Sequence, residues 1–120
     1  MRLRCERKDG PVWRVHLEPG SKAEVVFDGE GLHELDCLLD DAENSRRCRV
    51  LVIESVPGVF CRGMDLEFLI AHAGEDQLER ITAYARCMER LRCSDKAVVC
   101  LVDGEAMGGG VGLAAAADVI

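Results

Sequence analysis

The chain has 120 residues, 48% of them hydrophobic and 31% charged, with a formal net charge of -7. This is a globular balance that excludes a disordered or fibrous chain, and acidic residues spread along the whole length disfavour nucleic acid as a partner. No apolar run approaches the roughly 18 residues of a membrane span and the first residues lack the apolar core of a signal peptide, so one soluble, cytoplasmic domain is expected, with no membrane partner.

The first element in chain order is "VWRVHL" at 12–17. Its apolar and polar residues alternate with the period of a half-buried strand, and the charged run before Gly10-Pro11 is its expected hairpin partner. A short strand, "AEVVF", is expected after "EPGSK". Asp28 then caps a predicted helix in which Leu32, Leu35, Leu39 and Ala42 form one stripe, ending near Asn44 and Ser45. The β-branched run "CRVLVIESV" has the look of a strand buried on both faces, stopped at Pro57-Gly58.

A short helical segment is expected at "MDLEFLIAHAG", followed by an amphipathic helix. Leu78, Ile81, Ala85 and Met88 should share its inner face, with Glu79, Arg80, Arg86 and Arg90 pointing elsewhere. "KAVVCLV" predicts a second buried strand, "VGLAAAA" a helix, and "DVI" the start of a third strand. Strands alternating with helices in this order predict an α/β fold with a mainly parallel sheet.

The seven cysteines are odd in number, scattered and without a C-x-x-C pair, so reduced thiols are expected. Cys48 and Cys100 in strands, and Cys37 and Cys87 in helices, read as small packing residues. His16, His33 and His72 are far apart and show no metal-ligand spacing, so no metal site is expected.

Two loops carry the chemistry. In "GVFCRGMDLEF" a strand ends, the chain turns at Gly63 and a helix starts near Asp65, which leaves the Met64 amide free to bind an oxyanion. In "MGGGVGL", Gly108, Gly109 and Gly110 let backbone approach a ligand and set unpaired N–H groups at a helix start. A dinucleotide fingerprint fails because Leu113 stands where a third glycine belongs, and a P-loop fails for lack of G-K-[ST]. Asp65 reads as a helix cap, while Glu67 and Glu105 are the acid/base candidates, each equally explained as a solvated charge. Asp103 and His72 are further titratable groups, and Cys61 is a small filler beside the Met64 turn, with no histidine placed to make a thiolate.

"VFCRGMDLEFL", "KAVVCLVDG" and "AMGGGVGLAAAADVI" together resemble the crotonase, or enoyl-CoA hydratase/isomerase, superfamily over essentially the whole chain. The resemblance implies a spiral of β-β-α units, with residues 1–120 forming the N-terminal part of such a domain and its C-terminal half absent. It implies an oxyanion hole built from the amides of Met64 and Gly109, with Cys61, Gly63, Asp65, Gly108, Gly110 and Gly112 around the substrate. No cofactor is implied; the acyl group arrives as an acyl-CoA, or on the phosphopantetheine arm of an acyl carrier protein. A homo-oligomer of trimer type is implied for the full-length form.

One departure matters. The family's hydratases carry a glutamate in a GGG-x-E pattern, and here that position is Gly112. The combination looks most like the enoyl-hydratase homologues of polyketide β-branching cassettes, which dehydrate a 3-hydroxy-3-methylglutaryl-type carrier-protein thioester. A decarboxylase or isomerase of the same superfamily, or a non-catalytic truncated fragment, is the alternative.

Overall fold

The computed structural model describes residues 1–71 and 75–120. Two strands, β1 (Arg2–Asp9) and β2 (Val12–Glu18), form the expected antiparallel hairpin, with Arg2 opposite Glu18 and Asp9 opposite Val12. Burial alternates along β2: Trp13, Val15 and Leu17 face the core between half-buried neighbours. β2 pairs in parallel with β3 (Val50–Ser55), and β3 with β5 (Ala97–Cys100), giving the order β1-β2-β3-β5. This register aligns two buried rows, Trp13–Leu51–Val98 and Val15–Ile53–Cys100. Each large apolar side chain withdrawn from water in this way contributes roughly 1.5–3 kcal/mol, which fixes which face of the sheet turns inward.

Helix α1 (Gly29–Asn44) starts where Asp28 accepts the Gly31 N–H at 2.8 Å. Its predicted stripe is buried in that core, with Leu38 added. A second, two-stranded sheet stands beside the first: β4 (Gly58–Cys61) follows β3, β6 (Gly104–Ala106) follows β5, and the two pair in parallel. Helices α2 (Leu66–Ile70) and α3 (Glu75–Arg92) follow β4, and α4 (Gly109–Ala115) follows β6. The result is the expected spiral of β-β-α units, a mixed α/β fold with a mostly parallel sheet.

Several elements differ from expectation. "AEVVF" is not a strand: Val25, Val26 and Phe27 are all buried, but only Phe27 forms a bridge, to Met64, and the segment's backbone bonds go to the turn at 62–65. β3 buries one face fully and the other only in part, and β5 stops at Cys100, leaving Leu101 and Val102 exposed. "DVI" contributes one bridge, Val99 to Val119, and the Asp118 carboxylate accepts the Val98 N–H at 2.8 Å on that edge.

Helix α3 is rotated relative to the predicted stripe. Leu78, Ile81 and Ala85 are exposed and Met88 is half-buried, while Cys87 and Leu91 face the core. Charges decide the rotation. Arg80 donates to the Phe68 carbonyl and covers its ring, and Arg90 pairs with Asp36, Asp40 and Glu43 of α1. Both arginines were expected to point away. Cys37 is exposed on α1 and is no packing residue, whereas Cys48, Cys61, Cys87 and Cys100 are buried.

Candidate active site

The Met64 turn is held from one side by the irregular segment 25–27. Arg62 donates its N–H to the Val25 carbonyl at 2.9 Å, Phe27 donates to Gly63 at 2.7 Å, and Asp65 donates to Phe27 at 2.8 Å. In a parallel bridge the bonds go to the residues flanking the bridged one, so the Met64 N–H points away from 25–27. Among the described residues it meets no acceptor. Asp65 caps α2 by accepting the Glu67 N–H at 3.0 Å and takes the Lys22 ammonium at 2.9 Å. Partial burial opposes its charge, but the Lys22 and Glu67 bonds outweigh that and hold the Asp65 carboxyl below its ordinary pKa.

The second turn lies directly against the first. Met107 donates to the Cys61 carbonyl at 3.0 Å, and Gly110 donates back to Met107 at 2.7 Å. A Cβ on Gly110 would stand 1.9 Å from the Cys61 oxygen, so only glycine permits this approach. Gly63, at φ +95°, is equally constrained: a Cβ there would sit 2.9 Å from the Gly109 nitrogen. Standard bond lengths keep the Met64 nitrogen within about 4 Å of that point, so the two nitrogens are no more than about 7 Å apart, the scale of two donors roughly 3 Å from one shared oxygen. Like Met64, Gly109 offers an N–H that finds no acceptor among the described residues. A cleft of about 420 Å³ opens here, lined by Lys22, Arg62, Met64, Asp65, Leu66 and Met107 among others.

The structure thus brings Met64, Gly63, Gly108, Gly109 and Gly110 together with Asp65 at the rim. Cys61 is wholly buried beneath the turn, where burial pushes its thiol up and its sulfur receives the Gly63 N–H at 3.5 Å. Glu67 is 81% exposed and paired with Lys22, and Glu105 is exposed and paired with Arg62 at 2.7 Å. Asp103 is exposed outside the cleft. His72 lies outside the described residues.

Tyr84, the single tyrosine, escapes sequence reasoning because nothing near it in the chain points to a site. It reaches in from α3 to donate its hydroxyl to the Gly109 carbonyl at 2.6 Å. A Cβ on Gly112 would stand 2.2 Å from that hydroxyl, so the phenol occupies the room a side chain at 112 would need. Burial and the neighbouring Cys61 sulfur push the phenol up to about 12, which keeps it a neutral donor.

Comparison with known proteins identifies the family and the fold. A family model for enoyl-CoA hydratase/isomerase matches residues 20–120. A Legionella pneumophila protein assigned to enoyl CoA hydratase/isomerase (crotonase) is 34% identical with a TM-score of 0.85, over 98% of this chain and 46% of that one. An enoyl-CoA hydratase from Shewanella pealeana is 26% identical with a TM-score of 0.87, over 98% and 45%. An enoyl-CoA hydratase/isomerase from Marinobacter aquaeolei is 28% identical with a TM-score of 0.82, over 97% and 46%. The chain spans a little under half the length of each of these. The matched stretch contains both turns and the β-β-α units that carry them, and the chain belongs to the enoyl-CoA hydratase/isomerase family of the crotonase superfamily.

Proposed function

We propose that the chain carries the thioester-activating part of an enoyl-CoA hydratase-like enzyme, with the N–H groups of Met64 and Gly109 as the oxyanion hole. The observation that supports this is the pair of amides, without an acceptor among the described residues, on two turns in backbone contact. When a bond at the α carbon of an acyl thioester breaks, its electrons move onto the carbonyl oxygen. Preorganised donors hold that charge without reorganising, and each is worth about 3 kcal/mol of barrier. Glycines 108 and 110 bring main chain close to the thioester, and Asp65 fixes the start of α2 beside it.

The preferred reaction is dehydration of a 3-hydroxyacyl thioester of the 3-hydroxy-3-methylglutaryl type, presented on an acyl carrier protein or coenzyme A. A base removes the α proton, the enolate oxygen rests on Met64 and Gly109, and the enolate then expels the β-hydroxyl, protonated as water. Glu67, which lines the cleft, is the carboxylate we assign to this role ahead of Glu105, which is paired with Arg62 and does not line it. Gly112 favours a second reading, decarboxylation: with no carboxylate at that position, breaking the bond between the α carbon and a carboxylate carried on it, as in a malonyl-type thioester, releases carbon dioxide and leaves a thioester enolate without a base.

Mass spectrometry of a 3-hydroxy-3-methylglutaryl-type and of a malonyl-type carrier thioester, each incubated with the protein, separates them. Loss of water is expected, loss of carbon dioxide selects the second reading, and no change on either a carrier-protein or a coenzyme A thioester overturns both.

A further inference from the structure

Met64 and Gly109 belong to different β-β-α units, and something must hold their turns at one separation. Backbone contact at Gly63 prevents the turns from closing further, but it does not fix the tilt of the Gly109 peptide. Tyr84 holds Gly109 from the other side of its Cα, at the carbonyl of the peptide that follows. Its hydroxyl donates to the Gly109 carbonyl at 2.6 Å, and its ring lies 3.2 Å from where a Gly109 Cβ would be. The same ring stands edge-on to Phe27, with centroids 5.5 Å apart and planes at 68°. Phe27 in turn bonds through its backbone to Gly63 and Asp65, on either side of Met64. A continuous chain of contacts therefore runs from one amide to the other: Met64 turn, Phe27, Tyr84, Gly109 turn.

We propose that Tyr84 is a positioning residue of the oxyanion hole, pinning Gly109 through its hydroxyl and referencing it to Met64 through the Phe27 ring. This rests on the oxyanion reading above. The phenol is well suited to the task. It is held by a ring pair with a preferred edge geometry, and a neutral donor leaves the hole free of a competing charge. It also accounts for glycine at 112. With the hydroxyl 2.2 Å from the position of a Cβ there, a side chain at 112 and the bond from Tyr84 to Gly109 are mutually exclusive.

The test uses crotonyl-CoA isotope-labelled at the thioester carbonyl and difference infrared spectroscopy of the bound carbonyl. In the wild-type chain the stretch should fall on binding, because two donors polarise the bond. Tyr84→Phe keeps the ring and loses the hydroxyl; the stretch should return about half of the way to the free value, since Met64 still donates, while Kd changes by less than about threefold, a separation that a general loss of packing does not produce. Gly112→Ala, whose methyl group pushes the hydroxyl off the Gly109 carbonyl and the rigid ring with it, should give at least the same spectral loss, and adding Tyr84→Phe, which removes the clashing oxygen, should not deepen it. It also serves where Tyr84→Phe does not fold. A wild-type shift that survives in both variants overturns the role of Tyr84 alone. Absence of any shift in the wild-type chain, or absence of binding, overturns the oxyanion reading and this inference with it.

Discussion

Gly110 is the residue on which the two turns depend most directly. A methyl group there would overlap the Cys61 carbonyl at 1.9 Å, and the obstacle is backbone on both sides, so no rotamer relieves it. Gly110→Ala is expected to lower the stability of the chain by about 2 kcal/mol, the range for overpacking a filled site, measured as a lower urea midpoint at unchanged slope. An unchanged midpoint would mean that the turns separate freely. The need for glycine in this motif was legible in the sequence; the partner that demands it, a carbonyl 49 positions away on β4, was not, because a linear motif carries no record of what lies across from it. Tyr84 was illegible for the same reason. Its only sequence trace is the glycine at 112, a missing side chain whose space is filled from a different helix.

At the scale of elements, those with one strong physical determinant were readable. The β1–β2 hairpin follows from alternation around Gly10, and α1 follows from Asp28 and its leucine stripe. Helix α3 misled because two faces compete. Its apolar count favours Leu78 and Ile81, but Arg80 and Arg90 bury their stems against α2 and α1 and end on a carbonyl and three carboxylates, which only the rotated face allows. Segment 25–27 misled differently. It is apolar enough for a strand, yet it serves as a buried strut whose carbonyls and N–H groups hold Arg62, Gly63 and Asp65 in place. The second sheet leaves little trace in the sequence, since β4 and β6 have only four and three residues and carry no pattern of their own.

For the molecule as a whole, the core beneath the site sets its response to alkali. Burial pushes the Cys87 and Cys100 thiols up to about 11 and, aided by Cys61, the Tyr84 phenol up to about 12. In the unfolded chain these groups ionise near 9.0 and 10.0, so above that range the folded state holds more protons and stability falls as pH rises. The contribution is fully present below about pH 9 and is lost between about 9 and 12. Urea midpoints should therefore be flat from neutral to mildly alkaline pH and then decline. A midpoint that holds steady through about pH 11 would contradict burial of these groups.

The two amides are the centre of the account, and nuclear magnetic resonance can observe both. In a titration of the labelled chain with acetoacetyl-CoA, the N–H resonances of Met64 and Gly109 should move downfield together and saturate with one Kd, as two donors to one oxygen must. Movement of one without the other, or saturation of the ligand with neither displaced, would contradict a shared oxyanion site.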